Sequence, residues 1–177
     1  MAFTFWKTSS PRIKRILTIL AFFLVSAIIT IAGILTPLSS EEANAISQEL
    51  EQLQQNISVQ FIFGNNFMIC LAMFVPIAGP IFGFYVLYNT GIVIAAESMT
   101  LGLPPLLTFS ILFIYPFTWL EFLAYSTALA ESFWLIQRVF QHRGKRELVN
   151  TLILIAICAI MLVVAAIIEM LLITMFT

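Results

Sequence analysis

KTSSPRIKR (residues 7–15) runs directly into ILTILAFFLVSAIITIAGIL (residues 16–35), and this junction decides the fold. Four cations are followed by 20 residues without a charge. As a helix that run rises roughly 30 Å, the thickness of a bilayer's hydrocarbon core. The other four of the chain's eight cations, Arg138, Arg143, Lys145 and Arg146, form one further cluster, which also leads into a long apolar run. Hydrophobic residues make up 61% of the chain and charged ones only 10%. Two basic clusters in an otherwise cation-free apolar chain are the charge map of a multi-pass membrane protein whose basic segments stay cytoplasmic. A cleaved signal peptide is the rival reading of the first run, but its apolar core would be 7–15 residues, shorter than this one.

The length of 177 residues leaves no stretch for a separate water-soluble core, so a single membrane domain, residues 1–177, is expected. The net charge of −1 argues against nucleic acid as a partner, because a phosphate-binding surface needs a clustered excess of cations. Cys70 and Cys158 both fall in apolar runs, where cysteine behaves as a small hydrophobe rather than as half of a disulfide.

The organisation then follows from parity. If both basic clusters lie on one side, the chain between them crosses an even number of times, and the last run adds one more crossing. The expectation is an all-α bundle of five transmembrane helices: residues 16–36, 61–79, 81–98, 105–137 and 148–176. A cytoplasmic tail (1–15), an extracytoplasmic amphipathic helix (39–60) and a cytoplasmic basic loop (138–147) complete it. The amino terminus is then cytoplasmic and the carboxyl terminus extracytoplasmic, in the plasma membrane.

The fourth run, from Leu106 to Ile136, is 31 residues long and would rise roughly 46 Å, more than one crossing needs. Pro116 lies inside it, removing a backbone bond and crowding the preceding turn, so a kink or two helical pieces are expected there. The alternative is a tilted helix that protrudes into the cytoplasm.

In the outer segment Ser39 or Ser40 is placed to cap a helix, with Glu41 and Glu42 favourable in its first turn. Ile46, Leu50, Leu53 and Ile57 then recur on one narrow stripe. The stripe either packs on the protein itself or docks another subunit. Lacking Lys and Arg, it is a poor ligand for anionic lipid. Asn56-Ile57-Ser58 fits the glycosylation pattern, a short and weak match.

Polar residues within the apolar runs are the candidates for chemistry: Asn65, Asn66, Asn89, Thr90, Glu97, Glu121, Glu131 and Glu169. A charge in lipid costs roughly 2.5 kcal/mol or more on insertion scales, so such side chains face the bundle interior or water. Glu97 and Glu169 lie near outer ends, within reach of the interface. Asn65, Asn66, Asn89, Glu121 and Glu131 therefore make up the expected intramembrane polar site; Glu131 projects from a different face, about 80° around the helix from Glu121, and the alternative for it is the cytoplasmic interface. Ala124, Ala128 and Ser132, spaced by four, form a small-residue stripe that admits a second helix closely; Gly79 and Gly83 offer another.

His142, the one histidine, lies in the basic loop, and no phosphate loop or nucleophile-base-acid set is present. We expect no enzyme activity, no catalytic residue, no cofactor and no metal.

Ile62-Phe63-Gly64-Asn65-Asn66, the apolar run to Pro76 and Gly79, Tyr88-Asn89-Thr90-Gly91, and Pro116 with Glu121 and Ala124 together resemble the core of stage II sporulation protein M-like membrane proteins. The resemblance covers about residues 62–132. Phe117 and Thr118 stand where the family pattern has His and Gly, and Thr90 separates Asn89 from Gly91. The resemblance implies five spans with an outer segment after the first. It also implies a scaffold holding partner proteins, although sporulation itself does not follow. The expected function is a non-enzymatic scaffold or accessory subunit of a larger membrane complex, with the bilayer and other membrane subunits as partners. A small transporter or lipid-handling protein built on Asn66, Asn89, Pro116 and Glu121, and an accessory subunit of a membrane oxidoreductase or monooxygenase, are the alternatives.

Overall fold

The computed structural model describes residues 10–54, 57–140 and 144–176. Lys7, Asn56 of the short glycosylation pattern, His142 and Arg143 lie outside the described residues, as do the side chains of Lys145 and Arg146. All regular structure among the described residues is helical: α1 (Pro11–Ile34), α2 (Ser40–Gln54), α3 (Val59–Met73), α4 (Ala78–Thr100), α5 (Pro105–Leu112), α6 (Pro116–Phe140) and α7 (Gly144–Phe176).

α1 starts five residues before the apolar run. Pro11 sits in the first turn, where its missing N–H costs nothing, and the Ser10 hydroxyl accepts from the Ile13 amide at 3.4 Å. The helix thereby carries Arg12, Lys14 and Arg15 on its own first turns. α2 starts on a reciprocal cap. Ser39 Oγ accepts from the Glu42 amide at 3.3 Å, while Glu42 Oε2 accepts from the Ser39 amide and hydroxyl, both at 2.8 Å.

α3 is 15 residues long, about 22 Å, and ends at Met73 rather than continuing toward residue 79. Pro76 stops it. The Ala78 amide bonds the Pro76 carbonyl at 2.8 Å across Ile77, whose φ of 68° is the positive-φ form of a three-residue turn and strained for a β-branched residue. That turn lets α4 begin at Ala78, three residues before the expected span. Leu106 to Ile136 is not one tilted helix: α5 and α6 meet at an angle of 89°, broken just before Pro116. The Trp119 indole bonds the Phe113 carbonyl at 2.8 Å, satisfying an acceptor that the break frees.

Among the described residues three helices, α1, α4 and α7 from Leu148 to Met175, are long and apolar enough to cross a membrane, and up to four spans result if the bent pair counts as one. Only 17% of the apolar window of α1 is buried, so its large aliphatic side chains, Leu24 and Ile28 among them, face outward as lipid-contacting surface.

α6 is the hub, packed against α1, α3, α4 and α7. Small residues make this possible. Ala124, Ala128 and Ser132 are completely buried, and Ser132 Oγ donates to the Val75 carbonyl at 2.9 Å. A β-carbon on Gly79 would overlap the Met73 carbonyl, and one on Gly83 would come within 2.7 Å of Leu129. The closest approach is between α1 and α4, where a β-carbon on Gly33 would strike the Tyr88 carbonyl and one on Gly91 the Thr30 carbonyl. These stripes pack within the chain.

Directions follow from the contacts. Arg15, Glu131 and Thr151 meet at one end, which also holds Arg138, so the described cations of both clusters share it. From this cationic end α1, α4 and α7 run away, whereas α3 and α6 return. α2 covers the far end, packed on α4.

Candidate functional site

The polar residues expected to converge do not form one site; they divide between the two ends of the bundle. At the far end α3 brings Asn65 and Asn66 against α6, and Asn66 Nδ2 donates to Glu121 Oε1 at 2.6 Å. Asn65 Nδ2 stands 3.5 Å from Asn66 Oδ1, at the limit of a hydrogen bond. A cavity of about 400 Å³ opens beside this pair. Thr90 of α4 and Glu169 of α7 complete its polar wall, and Leu50, Leu53 and Ile57 supply an apolar roof with Phe61 and Ile62.

The stripe on α2 thus has a place within the chain. On α2, Ala43 and Ser47 are buried, Ile46 and Leu50 are half-buried and Leu53 is exposed at the cavity's edge; the helix ends at Gln54 rather than at residue 60, and Ile57, half-buried, reaches the cavity from beyond it. What α2 presents to solvent is acidic: Glu41, Glu42, Glu49 and Glu51. The Ser39 amide and hydroxyl hold the Glu42 carboxyl below the usual carboxylate range.

Asn89 does not reach the cavity; its amide donates back to the Tyr85 carbonyl of its own helix at 2.7 Å. Thr90 bonds the Val86 carbonyl at 3.0 Å and reaches the cavity wall. The neighbouring Tyr88 hydroxyl pairs with Thr36 at 2.8 Å.

Glu131 belongs to the cationic end and to a different chemistry. Its carboxylate accepts from Arg15 Nη1 at 3.0 Å and from the Thr151 hydroxyl at 2.8 Å, and its side chain is 2% exposed. A buried carboxylate with a cation and a hydroxyl is satisfied in place. It does not meet the interface alone, because α1 starts early enough to carry Arg15 alongside it.

Between the two ends the interior is closely packed. Cys70 and Cys158 both turn their sulfurs to the Ala124 carbonyl, at 3.8 and 3.6 Å, and both are free thiols. With Ala128, Leu129 and Leu162, all fully buried, they close the floor beneath Glu121. The far-end cavity is therefore blind.

Residues where the chain departs from the family pattern fill hydrophobic positions. Phe117 stacks on Tyr115 with ring centroids 5.8 Å apart, and Thr118 is buried with a hydroxyl that has no partner among the described residues. Neither lines the cavity. Glu169 and Thr90 are the members that sequence position hides: Glu169 reads as an interfacial carboxylate until α7 is packed on α3. Two carboxyl groups, two amides and a hydroxyl under an apolar roof make a hydrogen-bonding recess, suited to a polar head group.

An all-helical chain with lipid-facing apolar helices, a close-packed small-residue interior and paired polar residues buried among its helices is an α-helical membrane protein. The chain belongs to the Stage II sporulation protein M family, whose family model matches residues 17–172, well beyond the segment that carries the sequence resemblance. No curated protein and no solved structure matches it.

Proposed function

We propose that this protein is a non-enzymatic scaffold or accessory subunit of a larger membrane complex, crossing the plasma membrane five times with its amino terminus in the cytoplasm. α3 and its turn make the second crossing and the bent α5–α6 pair the fourth. The alternating helix directions and the shared cationic end support this count. The observation that carries the functional reading is the packed floor: Ala124, Ala128, Leu129 and Leu162, all fully buried, lie between the Glu121 recess and the cationic end. The acidic outward face of α2 supplies the surface on which a partner with a basic extracytoplasmic face would dock.

Extraction in a mild detergent followed by native mass measurement tests the proposal. A mass well above that of the 19.9 kDa chain, with other chains identified in the particle, is expected. A monodisperse lone monomer would refute it. A second reading, a protein that holds a small cationic or amine-bearing ligand from the extracytoplasmic side, is favoured by the recess itself. Retention of such a ligand that is lost in Glu121→Gln and Glu169→Gln would select it.

A further inference from the structure

The recess beside Glu121 has a polar wall and an apolar roof, and each excludes part of what could enter it. Among the described residues that line it there is no Lys, Arg or His, so an anionic head group meets no cation there. The described residues hold no group of three or more His, Cys, Asp or Glu that could bind a metal ion. About 400 Å³ is also the room of a small organic ligand rather than of a bare ion.

What the polar wall leaves unspent narrows the choice further. Glu121 Oε1 is taken by Asn66, but Oε2 makes no hydrogen bond among the described residues. The carboxyl of Glu169, half-buried on α7, makes none at either oxygen. The Thr90 hydroxyl gives its proton to the Val86 carbonyl, which leaves its oxygen able to accept. Three helices, α4, α6 and α7, thus each turn an unspent acceptor toward one open space. A primary ammonium carries three N–H donors and no acceptor. A quaternary ammonium carries no donor and takes a cage of aromatic faces, whereas Phe61 is the one aromatic residue among the described lining. A second ammonium on the same ligand would lie against Leu50, Leu53 and Ile57, where it loses water and finds no acceptor side chain.

We propose that the recess binds a primary monoamine with an apolar body. The ammonium sits between Glu121, Glu169 and Thr90, and the hydrocarbon lies under Leu50, Leu53 and Phe61. This rests on the second reading above, a ligand held from the extracytoplasmic side, and adds which amine the recess selects.

The full chain in detergent at neutral pH, titrated by calorimetry with butylamine, butyltrimethylammonium, diaminobutane and methylamine, tests this. Butylamine is expected to bind about tenfold more tightly than each of the other three, which lack either the N–H donors or the apolar body. Glu169→Gln, at a carboxyl with no hydrogen bond to lose, should weaken butylamine about tenfold and leave the unfolding midpoint in place. Leu53→Ser, at the exposed rim, should erase the advantage of butylamine over methylamine without changing methylamine binding, and it keeps the test decisive if Glu169→Gln fails to fold. Equal affinity for butylamine and butyltrimethylammonium, or tighter binding of diaminobutane, would overturn the proposal and leave the broader reading of a cation-holding protein standing. Binding of none of the four would end both.

Discussion

Glu121 and Glu131 are the same residue on the same helix, ten positions apart, and the molecule treats them in opposite ways. Glu131 is sealed: an arginine from α1, a hydroxyl from α7 and no space beside it except a groove whose rim is cationic. Glu121 has one amide partner and faces a recess shared with a second carboxylate. A buried carboxylate with a cation bonded to it serves the fold even where it borders a groove; one that faces open volume with no cation bonded to it is available to a ligand. Burial alone therefore does not mark a functional acid in a membrane bundle. The partner and the adjacent space do.

Breaking the sealed end should have the largest effect. Arg15→Leu strands the Glu131 carboxylate in the interior and is expected to cost about 3 kcal/mol, read as a fall in the unfolding midpoint in detergent. If Arg15→Leu is silent, the contrast between the two acids collapses. Overpacking the interior between the two ends comes next. Ala128→Leu pushes a side chain into a fully buried crossing and should destabilise by about 2 kcal/mol, whereas Leu152→Ala, at a lipid-facing position 65% exposed, should change stability by less than about 0.5 kcal/mol.

Glu121→Gln sharpens the comparison further. Glutamine keeps an oxygen to accept from Asn66, so the midpoint should move by less than about 1 kcal/mol. Glu131→Gln, which leaves Arg15 beside a neutral group, should cost about 2 kcal/mol; equal losses at both positions would show that the recess is as structural as the ion pair. The smallest effect lies outside both sites, at the cap of α2. Glu42 has a folded-state pKa lowered from 4.5 by Ser39, so the cap's contribution is complete above that value and fades as pH falls through the lower folded value. Amide exchange in the first turn of α2, corrected for its intrinsic pH dependence, should speed up only in that acid window. Glu42→Gln should remove the pH dependence.

Much of this architecture was legible in the residues. The apolar runs fixed an all-helical chain, Pro116 marked the break between α5 and α6, and Ser39 with Glu42 marked the start of α2, because each is a local signal carried by neighbours in the chain. Long-range partners were not. Asn66 and Glu121 are 55 residues apart and Arg15 and Glu131 are 116 apart, so periodicity placed them in the membrane without saying who meets whom. Asn89 illustrates the limit: its amide is satisfied by Tyr85 on its own helix, an option open to any asparagine in a helix and invisible to spacing. Arg15 reads as a marker of topology, and its pairing with Glu131 emerges only because Pro11 and Ser10 start α1 early enough to bring a guanidinium to that depth. Pro76 to Pro80 marked a turn between α3 and α4, but the positive φ of Ile77 within it had no sequence signal, since a β-branched residue is among the least expected there.

The contact between Gly33 and Gly91 has one more implication. Thr90, the residue before Gly91, is a wall of the Glu121 recess, so the separation of α1 and α4 sets how far that wall stands from α3. Two hydrogen atoms in place of two methyl groups act as a spacer of fixed thickness. A single alanine at either position would force α1 and α4 apart and displace the Thr90 wall without any change to the residues that line the recess.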